Sequence, residues 1–151
     1  MIVAWDYLDK RTATIDALKD YSSMEYIMQH HQEISERIRD KKSFIPSATP
    51  TGMPRNFNPR ASESCMIAQI NKTTILEERF HRAREYMRWF NPAWNCLTEG
   101  ERFVLTEFYL KENAQEDAVN IISEKFSIER SSAYKRKNRA LDRLTVLLYG
   151  R

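Results

Sequence analysis

The stretch Ser127-Ile128-Glu129-Arg130-Ser131-Ser132-Ala133-Tyr134-Lys135-Arg136-Lys137-Asn138-Arg139-Ala140-Leu141-Asp142-Arg143-Leu144 decides how this chain is read. It holds neither Gly nor Pro. Ala133, Ala140, Leu141 and Leu144, followed by Leu148, recur at spacings that collect on one side of an α-helix. The pattern predicts a helix from about Arg130 to about Tyr149. Between Glu129 and Arg143 stand six basic residues (Arg130, Lys135, Arg136, Lys137, Arg139, Arg143) against two acids (Glu129, Asp142). Positive charge clustered in this way suits a polyanion. Alone it would describe a solvated helix face more readily than a DNA site, so its neighbours matter.

Upstream, Leu97-Thr98-Glu99-Gly100-Glu101 contains a capping box: Thr98, with Glu101 three residues later. The helix it starts carries Val104, Leu105, Phe108 and Tyr109 on one side and is expected to end near Lys111. Asn113 and Glu116 repeat the capping pattern for a second helix, whose buried face is Ala118, Val119, Ile122 and Phe126. Ser127-Ile128-Glu129 forms a short turn. Two short helices, a three-residue turn and a basic third helix describe a helix-turn-helix over residues 97–149.

A recognition helix buries one face on its scaffold and turns the other to bases and phosphates. Arg130, Ser131, Tyr134, Lys135 and Asn138 fall opposite Ala133, Ala140 and Leu144. Arg130 and Lys135 suit guanine edges and Asn138 suits adenine. Ser131, Ser132 and Tyr134 can donate to phosphate oxygens. Arg136, Lys137, Arg139 and Arg143 fit backbone contacts or solvent. The expected DNA-binding set is therefore Arg130, Ser131, Ser132, Tyr134, Lys135, Arg136, Asn138 and Arg139, with double-stranded DNA as the partner.

Working outward, Met66, Ile70, Thr73, Leu76, Phe80, Ala83, Met87 and Phe90 follow one another at spacings of three or four. They predict a long amphipathic helix capped by Ser62 or Ser64 and ended by Asn91-Pro92. The same period fits a coiled-coil seam, so this helix suits packing within the chain or a homodimer. Trp89, Phe90 and Trp94 are expected to join it to the DNA-binding domain. Residues 44–62, with Pro46, Pro50, Pro54, Pro59 and Gly52, read as a Pro-rich linker. Residues 1–43 read as a helix or helix pair, interrupted or not at Tyr21-Ser22-Ser23, with Trp5, Leu8, Ile15, Leu18, Tyr21, Met24 and Met28 on its stripe. It offers a second surface for a homodimer. The fold class is all-α in three parts: 1–43, the linker 44–62, and 63–151 with the helix-turn-helix. Removing residues 1–60 is expected to leave a folded DNA-binding part.

Only 3 Gly and 5 Pro in 151 residues agree with long helices. Nothing points to catalysis, a metal or a cofactor. His30 and His31 are adjacent and face different sides of a helix, His81 sits among arginines, and no phosphate-binding loop or Cys/His ligand spacing occurs. Cys65 and Cys96 lie far apart, which suits free thiols in a cytoplasm. No secretory signal is read at the N-terminus, and no stretch approaches the roughly 20 apolar residues that span a bilayer.

Leu97-Thr98-x-x-Glu101-Arg102-x-Val104-Leu105 resembles the opening of sigma-factor region four, the helix-turn-helix that reads the upstream promoter element. Ile122-Ser123-Glu124-Lys125-Phe126-Ser127-Ile128 resembles its Ile-Ala-Glu-x-Leu-Gly-Val, and Arg139-Ala140-Leu141-Asp142-Arg143-Leu144 its closing Lys-Ala-Leu-Arg-Lys-Leu. Ser127 departs from the usual turn Gly, and Ser131-Ser132 from the charged pair. The whole plan is similar to small phage late-gene activators of the ArpU and RinA type. The resemblance implies promoter binding with host RNA polymerase in a bacterial cytoplasm, switching on late phage genes. A small terminase subunit, which also joins such a domain to oligomerising helices, is the alternative. A polymerase-binding or helical interaction protein without its own DNA site is the other.

Overall fold

The computed structural model describes residues 9–43 and 59–151. All regular structure among them is helical. Helix α1 is Lys10–Ser43, α2 is Pro59–Cys96, α3 is Glu99–Leu105, α4 is Gln115–Phe126 and α5 is Arg130–Tyr149. Trp5, Leu8 and linker residues 44–58, including Pro46, Pro50 and Pro54, lie outside the described residues.

α1 is one helix, with Tyr21-Ser22-Ser23 inside it and no break. Asp9 caps its start: the carboxylate accepts the Thr12 N–H at 3.2 Å and the Thr12 hydroxyl at 2.6 Å. These bonds hold the Asp9 carboxyl below its ordinary range.

α2 differs from expectation at both ends. It starts at Pro59, ahead of Ser62 and Ser64, so the linker assigned to 44–62 ends earlier. Proline suits a first helical position because that N–H has no partner in any helix. At the other end the helix runs through Pro92 to Cys96, past the stop that Asn91-Pro92 signals in the sequence. Pro92 takes one hydrogen bond out of the ladder, but the turn it lies in carries Ala93 and Trp94, and Leu97 follows; Ala93 and Leu97 are buried. Packing of that apolar turn outweighs a local loss near the helix end.

The chain divides into two compact units, the first comprising residues through Glu25 together with Glu85–Arg151 and the second Tyr26–Arg84. The first turns of α1 belong with the C-terminal helices because Ala17 and Leu18 share a core with Phe90, Ala93, Leu105, Leu141, Leu144 and Leu148. Thr14, also fully buried, donates its hydroxyl to the Lys10 carbonyl at 2.7 Å. Aromatic rings close this core. Phe90 lies 5.3 Å from Tyr21, 5.3 Å from Tyr86 and 5.7 Å from Trp94 between ring centroids. The Tyr86 hydroxyl donates to the Ala17 carbonyl, and burial pushes that phenol above its ordinary range.

In the second unit His31 stacks on Phe80 at 4.0 Å, and His30 Nδ1 meets the Tyr26 carbonyl at 3.0 Å. The long stripe of α2 is buried only toward its C-terminal end, at Ala83, Met87 and Phe90. Met66, Ile67, Ile70 and Ile75 are 60%, 58%, 56% and 57% exposed. No described helix is long and apolar enough to cross a membrane.

Candidate nucleic-acid interface

The capping box is present in both directions. Thr98 Oγ1 accepts the Glu101 N–H at 3.3 Å and Glu101 Oε2 accepts the Thr98 N–H at 2.9 Å. Burial pushes the Glu101 carboxyl up, but the Thr98 N–H and the Arg143 guanidinium outweigh it and hold the group below its ordinary range. Arg143 Nη1 donates to Glu101 at 3.1 and 2.9 Å, and Nη2 to the Cys96 carbonyl at 3.3 Å. Arg143, expected at DNA backbone or in solvent, instead ties α5 to the start of α3.

α3 continues as a π turn over Thr106–Leu110, closed by Lys111 N–H bonding the Thr106 carbonyl at 3.0 Å. Periodicity places the helix end correctly and gives no sign of the wider turn. Glu107 is buried there, paired with the Lys111 ammonium and accepting from Asn113 Nδ2 at 3.3 Å. Asn113 is therefore occupied at Glu107 and does not cap α4, whose cap position is Ala114, without a side-chain bond.

α5 buries the expected Ala133, Ala140, Leu141, Leu144 and Leu148; α4 buries Ala118, Val119 and Ile122, while Phe126, also expected there, is half-buried. Val104, Val119, Ile122 and Ala133 form one cluster, with Phe103, Phe108, Phe126 and Ile128 packed on it. The turn between α4 and α5 is a Schellman motif. Ser127 is left-handed (φ 52°, ψ 49°), Ile128 N–H reaches the Ser123 carbonyl at 3.0 Å and Ser127 N–H the Glu124 carbonyl at 3.4 Å. Ile128 then packs inward. Ser127 thus occupies a position that glycine fills without Cβ strain. Ser127→Gly is expected to raise stability by roughly 0.5–1 kcal/mol, checked by urea unfolding, because relief of strain exceeds the added freedom of the unfolded chain. No gain, or a loss, would mean the serine hydroxyl compensates for its backbone.

Of the expected site residues, Arg130, Ser131, Tyr134, Lys135, Arg136, Asn138 and Arg139 are exposed, and Ser132 is half-buried. They differ in what else they hold. Arg130 Nη2 donates to Asn120 on α4 at 2.8 Å, which ties down the first residue of α5. Tyr134 packs its ring 6.0 Å from Phe108. Arg136 lies 4.5 Å over the Phe126 ring. Asn138 accepts from Arg11 of α1 at 2.8 Å. The side chains of Lys135 and Arg139 make no hydrogen bond or ion pair with another described residue. Lys137 is half-buried 5.0 Å over Phe108, and burial, with the Arg11 charge nearby, lowers its ammonium below the ordinary lysine range. Arg11 escaped sequence reading: it lies 127 residues from Asn138, and no local spacing announces such a pair.

The first turn of α5 carries no acid, and its cap residue Glu129 makes no side-chain bond. Its N–H groups therefore have no side-chain partner beside Arg130. No protein-family model, curated protein or solved structure matches this chain, so its own residues carry the functional reading.

Proposed function

We propose that this chain is a sequence-specific double-stranded DNA-binding protein, a transcriptional regulator and not an enzyme, in which α4 and α5 act as a helix-turn-helix and the first two turns of α5 enter the major groove. The carrying observation is the outward face of α5. It presents Ser131, Lys135, Asn138 and Arg139 away from a buried Ala133/Ala140/Leu144 face, with Arg130 exposed at the helix start, beyond a tight Schellman turn. Cations on a rigid helix beside an uncapped N-terminus suit phosphate and base edges together. By its resemblance to sigma region four and to phage late-gene activators, the DNA is a promoter. The bacterial RNA polymerase is then the second partner, in the host cytoplasm.

Fluorescence anisotropy with labelled duplexes between 50 and 200 mM salt, reagent concentrations spanning the steep range of counterion release, tests the binding. Affinity is expected to fall steeply with salt; salt-independent or absent binding would sink the reading. Within it, Lys135→Ala is expected to cost about 1–3 kcal/mol and to relax selectivity at one base pair. Arg139→Ala is expected to lower the salt slope by about 1 without changing selectivity. Unchanged binding in both would put the interface elsewhere.

DNA packaging, as a small terminase subunit, is the second reading. The exposed Met66, Ile67, Ile70 and Ile75 favour it, since packaging subunits of this plan self-associate through helices. Sedimentation separates the two: a ring of many subunits supports packaging, and a monomer or dimer supports the regulator.

A further inference from the structure

Asn138 stands on the outward face of α5, two turns from its start, where the proposed helix-turn-helix reading would have it face bases. Its side-chain oxygen is already taken. Arg11 Nη2 lies 2.8 Å from Asn138 Oδ1, and Arg11 Nη1 lies 3.3 Å from Asp142 Oδ1, one turn further along α5. Arginine carries only donors, so the atom it meets on Asn138 must be the oxygen whichever way the amide is drawn. The planar fork touches two residues of one face at once, which fixes its orientation better than a single bond would.

We propose that Arg11 determines base selectivity by locking the Asn138 amide with its NH2 group outward. A free asparagine reads adenine with both halves of its amide, accepting from N6 and donating to N7. An asparagine whose oxygen is turned toward Arg11 presents its NH2 donors to the groove. It therefore matches a base edge that only accepts, guanine O6 and N7 or thymine O4, and loses its advantage at adenine. This reverses the adenine preference expected from Asn138 alone. The same guanidinium neutralises Asp142, a carboxylate that would otherwise repel phosphates from this face. The inference rests on the DNA-binding reading above.

Selection from a library of randomised 20-bp duplexes, run on the full chain, tests it. Asn138→Ala identifies the base position that Asn138 faces, as the one whose preference disappears. The unsubstituted chain is expected to select guanine or thymine there. Arg11→Ala is expected to shift that position toward adenine by about fivefold, the value of one hydrogen bond. Arg11→Ala also uncovers Asp142, so its overall affinity falls; adding Asp142→Asn is expected to restore affinity and leave the adenine shift in place. Arg11→Lys keeps the charge but cannot bridge both partners, so it is expected to show the shift with little loss of affinity. Circular dichroism and Tm of each variant should match the parent, since Arg11 is about half exposed (48%).

Identical base preferences in the parent and both Arg11 variants would overturn the proposal. Loss of binding that Asp142→Asn fails to restore would also overturn it, by making Arg11 a phosphate or packing contact. A parent chain that selects no duplex sinks the DNA reading itself, which is a different result from an unchanged motif.

Discussion

Deleting residues 1–60 is expected to abolish cooperative unfolding of the remaining chain, reversing the expectation that this piece folds alone. The deletion removes Ala17 and Leu18 from a core that they share with Phe90, Leu141, Leu144 and Leu148, together with the buried Thr14. Burying one leucine contributes about 1.5–3 kcal/mol, and the partners left behind face water as well. The Tyr86 hydroxyl also loses its acceptor at Ala17, and Arg11 no longer covers Asp142. Together these losses are a large share of the stability of a typical domain, about 5–15 kcal/mol. Urea unfolding of residues 61–151, followed by far-ultraviolet circular dichroism, reads the outcome. A sharp transition would show that α3, α4 and α5 hold without α1.

Phe90→Ala is expected to cost about 3–5 kcal/mol, the second largest effect. Phe90 is fully buried and touches Tyr21, Tyr86 and Trp94, rings that come from α1 and α2 and cannot all close on the space left. At roughly 2–4 °C per kcal/mol for a chain of this size, Tm should fall by about 6–20 °C. Because Phe90 belongs to the core on the buried side of α5 and not to its outward face, the folded fraction should keep its DNA selectivity. A fall of under 1 kcal/mol would mean the aromatic cluster repacks.

What was legible in the sequence was local. Along the α5 face of Ala133, Ala140, Leu141, Leu144 and Leu148, and within the Thr98–Glu101 capping box, each residue lies no more than two turns from the next, and both patterns are present as read. The failures lie where distant parts meet. Asn91-Pro92 signals a helix end by local sterics, yet Ala93 and Leu97 pull the chain on into a core assembled from elsewhere. Asn113 has the chemistry of a cap but meets Glu107, a buried carboxylate that needs it more. The basic face of α5 was visible as charge. Which of its members are free, such as Lys135, and which are engaged, such as Arg130 and Asn138, depends on Asn120 and Arg11.

The pairing of α1 with α5 also has a consequence in time. Arg11 and Asn138 are 127 residues apart, and Lys10 donates to the Arg151 carbonyl across 141 residues. At about 5–20 residues per second, a ribosome releases the first helix roughly 6–25 s before its partner on α5. Tyr86 and Phe90 reach α1 sooner, since the Tyr86–Ala17 bond spans only 69 residues. During synthesis the places of Leu141, Leu144 and Leu148 in that core therefore stay unfilled until α5 emerges. That interval is when chaperones have most to shield, and a ribosome stalled before α5 would hold the chain in this open state.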